Sequence, residues 1–514
     1  MSGSVLNAER RRRELDDLAA ETLDVLVIGG GVTGAGVALD AATRGLRVAL
    51  VESRDLAFGT SRWSSKLVHG GLRYIASGNI GVARESARER HLLMTVTAPH
   101  LVRPLATVLP LHREISGPQA AFMRGGFMAG DLLRRSAGTP AELLPRARRI
   151  DTATALRRGG ALRPDGLRGG ILAHDGQLID DARLVVAIAR TAADHGALVL
   201  TRMRADRVTG TGAELTDVLT GTTTTVRARA VISAAGVWAG EVDPSVRLRP
   251  SRGTHLVLPA AALGNPTASI TVPVEGSSNR FVFAMPEQLD RVYLGLTDEE
   301  APGPIPDVPV AAEHEVDFLL DTVNRALARP LTRADVLGSY SGLRPLLHSA
   351  DGRGDDGSTA DVSRKHAVIV GPDGVVSIVG GKLTTYRQMA QDALDRAVRL
   401  SGLRAGACRT RTVPLVGAPA LPDSRGTDGL PPMLVRRYGG LAAEVLEAAA
   451  IPDPSTAIAP GIDVTRAEIA YAVTHEGALD VDDVLDRRTR IGLVTADAER
   501  AREAVDEIVR SVGS

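Results

Sequence analysis

The most regular pattern of apolar positions lies between residues 24 and 52. Residues 25–28 are a short apolar run rich in β-branched side chains, which predicts a buried parallel strand. After a turn of glycines, a helical pattern runs from about Val32 to Thr43, and a second apolar run follows at residues 48–51. This order of strand, turn, helix and strand predicts a βαβ unit.

Three glycines in the turn, Gly29, Gly31 and Gly34, have the spacing G-x-G-x-x-G. The first permits the tight turn, the second lets the backbone approach a pyrophosphate, and the third lets the helix pack closely on the strand. The free N–H groups at the helix N-terminus favour phosphate. Glu52 ends the second strand, where a carboxylate can accept hydrogen bonds from a ribose. The sequence therefore predicts a dinucleotide-binding unit.

A different pattern, alternation of apolar and polar positions, occupies residues 250–300. The segments HLVLP, SITVPV, RFVFAMP and VYLGLTD predict four antiparallel strands, which we interpret as a substrate-binding sheet inserted at about residues 250–345. After residue 402 helical patterns dominate, at residues 433–450, 466–475, 481–487 and 497–512. We therefore predict an N-terminal extension (1–20, helical or disordered), a nucleotide-binding part containing the inserted sheet (21–402) and a helical C-terminal cap (403–514).

Other helices are predicted at residues 81–97, 180–195 and 316–328. Residues 122–133 are apolar on all sides of a helical wheel, which predicts a buried helix. Residues 222–229 are rich in threonine and predict an exposed hairpin arm that leads into a buried strand at 229–233.

Composition narrows the class of protein. Lys plus Arg and Asp plus Glu number 61 each, so no global charge indicates nucleic acid. Cys408 is the single cysteine, which excludes an intramolecular disulfide and any cysteine-based metal cluster, and fits a reducing cytosol. We expect no metal site and, because no apolar stretch of membrane-spanning length occurs, no membrane span. Arginines accumulate at residues 132–170, either as a solvated face or as a patch for anionic lipid headgroups.

Polar loops at strand ends hold the candidate site residues. The loop after Glu52 carries Thr60, Ser61 and Ser65 and continues through Lys66, His69 and Gly70 to Arg73 and Tyr74. Small-residue turns follow two further strands, AAGVW at 234–238 and GGKLTT at 380–385. Open α/β sheets bind ligands at such strand ends.

The motifs IGGGVTGAGVALDAATRG, SSKLVHGGLRY, AAGVWAG, SYSGLRPL and GGKLTTYR occur in this order in the chain. Together they resemble the FAD-dependent glycerol-3-phosphate dehydrogenase family, and the likeness covers residue 24 to about 401 and continues at 471–493. The resemblance implies an α/β (α+β overall) architecture: a glutathione-reductase-like Rossmann FAD domain, an antiparallel substrate sheet and a helical C-terminal domain. It also implies oxidation of sn-glycerol 3-phosphate to dihydroxyacetone phosphate, with electrons passed to a membrane quinone.

The resemblance places Arg73, Tyr74, Arg344, Arg364 and Lys382 around the substrate, where arginines suit a phosphate. Hydride transfer to FAD needs a base for the substrate hydroxyl, and His69 and His255 are both candidates. With Arg344 and Lys382 they form the expected catalytic set. The residues expected to contact FAD are Gly29, Gly31, Gly34, Glu52, Ser53, Thr60, Ser61, Ser65, Lys66, Leu67, Gly70, Val208, Ala235, Gly236, Trp238, Gly381, Lys382, Leu383 and Thr384.

Two other functions are compatible with the residues alone. An amine or amino-acid oxidase of the same fold would need a carboxylate-binding site rather than several cations, and a nucleotide-binding module would lack redox chemistry. The resemblance favours the dehydrogenase, located in the cytoplasm and peripheral to the inner face of the cell membrane. The electron acceptor, the base and the oligomeric state stay open, with a homodimer as one alternative.

Overall fold

The computed structural model describes residues 3–71, 79–115, 117–277, 280–347, 365–418 and 429–513. The helices in this part of the chain are α1 (Ala8–Ala20), α2 (Val32–Thr43), α3 (Ile80–Leu92), α4 (Gly117–Ser136), α5 (Thr152–Gly159), α6 (Asp181–Asp194), α7 (Ala239–Val242), α8 (Glu313–Asn324), α9 (Tyr386–Ser401), α10 (Pro432–Tyr438), α11 (Ala442–Glu447), α12 (Arg466–His475), α13 (Val481–Asp483) and α14 (Thr495–Val512). Among them, none combines the length and apolar character needed to cross a bilayer.

The strands are β1 (Leu23–Ile28), β2 (Val48–Val51), β3 (Leu67–Val68), β4 (Val102–Pro110), β5 (Arg148–Ile150), β6 (Gly170–Leu178), β7 (Leu198–Leu200), β8 (Met203–Thr209), β9 (Gly212–Asp217), β10 (Thr223–Ser233), β11 (Leu248–Pro259), β12 (Ser269–Pro273), β13 (Phe281–Pro286), β14 (Arg291–Gly295), β15 (Glu299–Glu300), β16 (Gly338–Leu347), β17 (Ala367–Val370), β18 (Val376–Val379), β19 (Ala457–Ala459) and β20 (Ile462–Thr465). They form two large sheets and one small hairpin, β19–β20. The predicted mixed α/β architecture is confirmed.

The first sheet has the order β17-β18-β10-β1-β2-β7 and is parallel from β18 to β7. The predicted βαβ unit is confirmed as β1, α2 and β2. Alternate side chains of β1 enter different cores, with Val25 and Val27 facing α2, α6 and α9, and Leu26 and Ile28 facing the opposite side. Because the sheet is buried on both faces, β1 has the continuous apolar run that made it recognisable.

Within the described residues the second sheet has ten strands, with the order β15-β11-β14-β13-β12-β4-β6-β3, β16 beside β11 and β5 beside β6. The four predicted antiparallel strands are present as β11 to β14, but the sheet is larger than predicted. Strands β4 and β6 come from earlier in the chain, and β4 pairs in parallel with β12. One face packs against α8 through residues such as Ile270 and Val272. The other face borders a cavity, and the helices and strand ends of the first sheet lie on the far side of that cavity.

Helix α1 lies within the N-terminal 20 residues and packs on the first sheet, where Glu14 accepts a hydrogen bond from the Val199 amide at 2.8 Å. Residues 433–450 are not one helix, because Gly439 (φ +57°) separates α10 from α11. The Thr-rich arm and the strand after it form one continuous strand, β10, which pairs first with β9 and then with β1.

The expectation that residues 122–133 are buried is wrong. Helix α4 places Met123 and Phe127 against Leu109 of the second sheet. Its opposite side is open, so that Met128 and Leu132 are 66% and 68% exposed. The helical wheel predicted burial because apolar residues occur on all sides of α4. The helix nevertheless packs on one side only, so that some of these residues stay exposed.

Candidate active site

In the glycine turn between β1 and α2, Gly31 leaves room for a ligand, whereas backbone atoms crowd the positions of Gly29 and Gly34. Gly29 has a φ of +110°, and a Cβ at Gly34 would overlap the Gly29 carbonyl oxygen. A Cβ at Gly31 would contact only the Ser61 hydroxyl, at 3.1 Å, among the described atoms. Glu52 fixes the turn by accepting the Gly30 amide N–H at 2.6 Å. The turn thus fits the pyrophosphate of a dinucleotide at Gly31 and the N-terminus of α2.

A cavity of about 1610 Å³ extends from this turn to the second sheet. It brings together most of the predicted site residues: Gly29, Gly31, Glu52, Ser53, Thr60, Ser61, Ser65, Leu67, His69, Gly70, Ala235, Gly236, Trp238, His255, Arg344, Gly381, Lys382, Leu383 and Thr384. Gly34, Lys66 and Val208, although described, do not line it. The predicted Arg73, Tyr74 and Arg364 lie outside the described residues.

His255 on β11 is 1% exposed at the wall of the cavity. Its Nε2 lies 2.9 Å from the Ser65 hydroxyl, and its ring stacks on Tyr340 at 4.7 Å between centroids. Its Nδ1 has no hydrogen-bond partner among the described residues. Burial, together with the nearby Lys66 and Arg344 charges, lowers the pKa of His255 well below its ordinary value. The imidazole is therefore neutral at pH 7, as a proton acceptor must be.

Lys66 holds the loop beneath His255 rather than facing the cavity. Its ammonium donates to the carbonyl oxygens of Arg62 and Ser64 at 3.1 and 3.0 Å and pairs with Asp181 at 3.0 Å. Asp181 in turn accepts the backbone and hydroxyl hydrogens of Ser64. Burial lowers the pKa of Lys66 to about 8, although Asp181 opposes the shift. These contacts fix the backbone on either side of Ser65.

Arg344 lies at the end of the cavity that is bordered by the second sheet. Its guanidinium donates to the Ser251 hydroxyl at 3.0 Å, to Asp298 at 3.2 Å and to the Thr297 carbonyl at 3.1 Å. A Cβ at Gly253 would overlap this guanidinium, so glycine on the neighbouring strand leaves room for it. Lys382 lines the same cavity after the two left-handed glycines, Gly380 and Gly381. Two cationic side chains thus border one space.

His69 occupies a different environment from His255. Its side chain is 44% exposed, and its Nδ1 lies 3.3 Å from Asp175. Arg90 also binds Asp175, at 2.6 Å. Burial alone would raise the pKa of Asp175, but Arg90 and His69 lower it to about 2. His69 is therefore engaged with an ionised carboxylate.

Three arginines of the C-terminal region bind the loop that follows β2, which contains Asp55 and Arg62. Arg488 binds Asp55 with both terminal nitrogens, at 2.9 Å each, and Arg487 binds the same carboxylate at 2.6 Å. Arg490 donates to the Arg62 carbonyl at 2.6 Å. Sequence reasoning missed these residues, as it missed Asp181 and Tyr340, because the pairs are far apart in the chain. The motif SYSGLRPL did contain Tyr340.

Comparison with known proteins gives a consistent result. A family model described as FAD dependent oxidoreductase matches residues 24–387, and one described as the C-terminal domain of alpha-glycerophosphate oxidase matches residues 408–514. The chain is 61% identical to glycerol-3-phosphate dehydrogenase 1 of Mycobacterium tuberculosis over 98% of both chains. It is 40% identical to glycerol-3-phosphate dehydrogenase 2 of the same species, over 93% of this chain and 82% of the relative.

Solved structures agree. The glycerol-3-phosphate dehydrogenase of Bacillus halodurans complexed with FAD aligns with a TM-score of 0.74 and 27% identity, over 98% of this chain and 94% of that one. The L-alpha-glycerophosphate oxidase of Mycoplasma pneumoniae aligns with a TM-score of 0.56 and 16% identity, over 75% of this chain and 96% of that one, and shares the fold. The fold and the dinucleotide site define an FAD-dependent oxidoreductase. Within that class, the chain belongs to the glycerol-3-phosphate dehydrogenase family.

Proposed function

We propose that the protein oxidises sn-glycerol 3-phosphate to dihydroxyacetone phosphate and passes the two electrons to a membrane quinone. The observation that carries this proposal is the cavity shared by the glycine turn, His255, Arg344 and Lys382. FAD supplies the hydride acceptor when bound. The glycine turn and the N-terminus of α2 would hold its pyrophosphate, and Glu52 would hold a ribose.

Arg344 and Lys382 would bind the substrate phosphate. A phosphate dianion loses water on entering a cavity, and charged donors must replace that water. Arg344 is held in place by Ser251, Asp298 and Thr297, so little side-chain freedom is lost when substrate binds. Arg73, Tyr74 and Arg364 stay predicted members of this site.

His255 would accept the hydroxyl proton of the substrate. It is neutral at pH 7 and it lines the cavity. His69 is the weaker candidate because it is engaged with Asp175. Ser65 would orient the ring through Nε2.

Residues 403–514 would form a cap domain that holds the loop after β2 through the contacts of Arg487 and Arg488 with Asp55. The protein would be cytoplasmic and bind the inner face of the membrane with α4, whose Met128 and Leu132 are exposed. Exposed arginines of the 132–170 stretch support contact with anionic lipid: Arg135, Arg146, Arg148, Arg149, Arg157 and Arg168.

Anaerobic bleaching of the flavin tests the proposed reaction. We expect glycerol 3-phosphate to bleach the flavin absorbance of the purified holoenzyme and glycine or sarcosine to leave it unchanged. Bleaching by glycine or sarcosine alone would instead favour the amine-oxidase alternative.

A further inference from the structure

Two neighbouring strands of the second sheet, β11 and β16, share one face that borders the cavity. On that face the pairs across the strands are Ser251 with Arg344, Gly253 with Gly342, and His255 with Tyr340. The middle pair consists of two glycines. It lies between the proposed proton acceptor and the proposed phosphate-binding cation, so no side chain of its own separates them.

Arg344 lies across β11 at the place where Gly253 has no side chain. A Cβ at Gly253 would overlap Nη2 of Arg344 and would lie 2.8 Å from its Cζ. Strand β11 has β16 on one side and β14 and β15 on the other. The guanidinium therefore crosses β11 to reach Asp298 and the Thr297 carbonyl, which follow β14. Only glycine at position 253 leaves this path open.

His255 lies across β14 in the same way. Gly295 of β14 pairs with His255, and a Cβ at Gly295 would overlap the ring atom Cδ2 and would lie 2.7 Å from Nε2. The three described heavy atoms nearest to that Cβ all belong to the His255 ring. Gly295 does not have a positive φ, so the backbone would accept alanine and the ring alone excludes it.

Glycine in a strand interior weakens a sheet, because it has no side chain to pack and more conformational freedom to lose on folding. It is found where another group approaches the strand closely. At Gly253 and Gly295 the approaching groups are a guanidinium and an imidazole that both line the cavity. The two glycines therefore make room for the two groups of the proposed chemistry.

We infer that Gly295 and Gly253 are positioning residues with separate effects: Gly295 lets His255 reach Ser65 and act in proton transfer, and Gly253 lets Arg344 bind the phosphate. The inference rests on the proposed function, which gives His255 and Arg344 these roles. A side chain at 295 should displace the ring and slow the reaction, because a misplaced reacting group loses rate steeply. A side chain at 253 should displace the guanidinium and weaken substrate binding.

Anaerobic stopped-flow reduction of the FAD-loaded enzyme by glycerol 3-phosphate separates the two effects. In Gly295→Ala the limiting rate of flavin reduction should fall roughly tenfold to a hundredfold, while the apparent Kd for glycerol 3-phosphate stays nearly unchanged. In Gly253→Ala that Kd should rise roughly tenfold, while the limiting rate stays nearly unchanged.

Gly170→Ala is the matched control, and both quantities should stay at their wild-type values. Gly170 lies on β6 of the same sheet, has no positive φ and does not line the cavity. Its added Cβ would lie 3.0 Å from the Leu109 carbonyl oxygen, so this variant also crowds the sheet, but away from the site.

Two double variants test whether each glycine acts through its neighbour. Gly295→Ala should add little to the kinetic loss of His255→Ala, and Gly253→Ala little to that of Arg344→Ala, because the shortened side chain leaves space for the Cβ. Denaturant unfolding should show the same pairing: Gly295→Ala should destabilise the protein that has His255 and be nearly neutral in His255→Ala. If Gly295→Ala alone does not fold, recovery of folding in the double variant gives the same answer.

Wild-type kinetics in Gly295→Ala and Gly253→Ala would contradict the inference. Equal changes of the limiting rate and the Kd in each single variant, or additive effects in the double variants, would also contradict it. If instead glycerol 3-phosphate does not reduce the flavin of the wild type, the proposed function itself fails. The unfolding measurements then still decide whether each glycine makes room for its neighbour.

Discussion

The hydroxyl of Ser65 lies 2.9 Å from Nε2 of His255, and residues 64 and 66 on either side of it are fixed by Asp181 and Tyr340. The loop after the first βαβ unit therefore orients a ring on the second sheet. The proposed flavin contacts and the proposed proton transfer would thus depend on one short segment.

Removing the Ser65 hydroxyl should impair proton transfer without removing substrate affinity. In Ser65→Ala the His255 ring loses its hydrogen bond at Nε2, so we expect kcat to fall roughly fivefold to tenfold while KM for glycerol 3-phosphate changes little. Ser65→Thr, which keeps the hydroxyl, should recover most of kcat. Equal losses in both variants would show that the loop needs the small side chain rather than the hydrogen bond.

The pH profile should identify the base. A neutral imidazole accepts a proton, so activity should be lost as pH falls through the pKa of His255. Because burial lowers that pKa, the acid limb of kcat/KM should lie below about pH 6.5. His255→Asn should abolish this limb and most of kcat. A wild-type limb above the ordinary histidine pKa would point to another group.

Lys66 should make stability rise with pH in the alkaline range. Its pKa is 10.5 unfolded and about 8 folded, so between these values the unfolded chain binds more protons. The penalty for burying the ammonium is complete below pH 8 and is relieved as pH rises towards 10.5. Denaturant unfolding of wild type and Lys66→Met at several pH values checks this. The difference between their free energies of unfolding should change by roughly 3 kcal/mol between pH 8 and 10.5. If the free energies of unfolding of the two proteins changed with pH in parallel, the lowered pKa of Lys66 would be contradicted.

Arg344→Ala should raise the KM for glycerol 3-phosphate roughly tenfold to a hundredfold, since a charge-assisted contact is worth about 1.5 to 3 kcal/mol. Arg344→Lys should have an intermediate KM, because lysine keeps the charge but cannot form the two parallel hydrogen bonds of a guanidinium. Arg249→Ala is a matched control, because Arg249 lies on the same sheet and pairs with Glu300. Glycerol lacks the phosphate, so its slow turnover should barely change. Equal loss for both substrates would assign Arg344 to the fold.

Gly31→Val should yield a folded protein without flavin. The added side chain would meet Ser61 in the described structure and otherwise extend into the space proposed for the pyrophosphate. Gly81→Val, at a glycine with no described atom near its Cβ, is the control and should keep its flavin. The flavin-to-protein absorbance ratio measures this, and a stoichiometric flavin content in Gly31→Val would refute the proposed position.

Elements whose signals are neighbours in the sequence were predicted correctly, whereas contacts between residues far apart in the chain were not predicted. The βαβ unit was recognisable because its apolar runs, glycines and acid are neighbours in sequence, and β11 to β14 because they follow one another. Strands β4 and β6 were missed because their partners lie far along the chain and prolines interrupt β4. The Lys66–Asp181 pair has no local signal, so sequence placed Lys66 at the flavin while the structure places it beneath the loop.

Asp55 and Arg488 are separated by 433 positions, yet their side chains meet with both oxygens and both nitrogens engaged. During synthesis the glycine turn leaves the ribosome more than 400 residues before the arginines that hold the following loop. Until then Asp55 has no counterion from this region, and an uncompensated carboxylate resists burial. The proposed flavin pocket would therefore reach its final form only after Arg487 and Arg488 have been synthesised, and nascent chains that lack them would carry the nucleotide motif without a completed site.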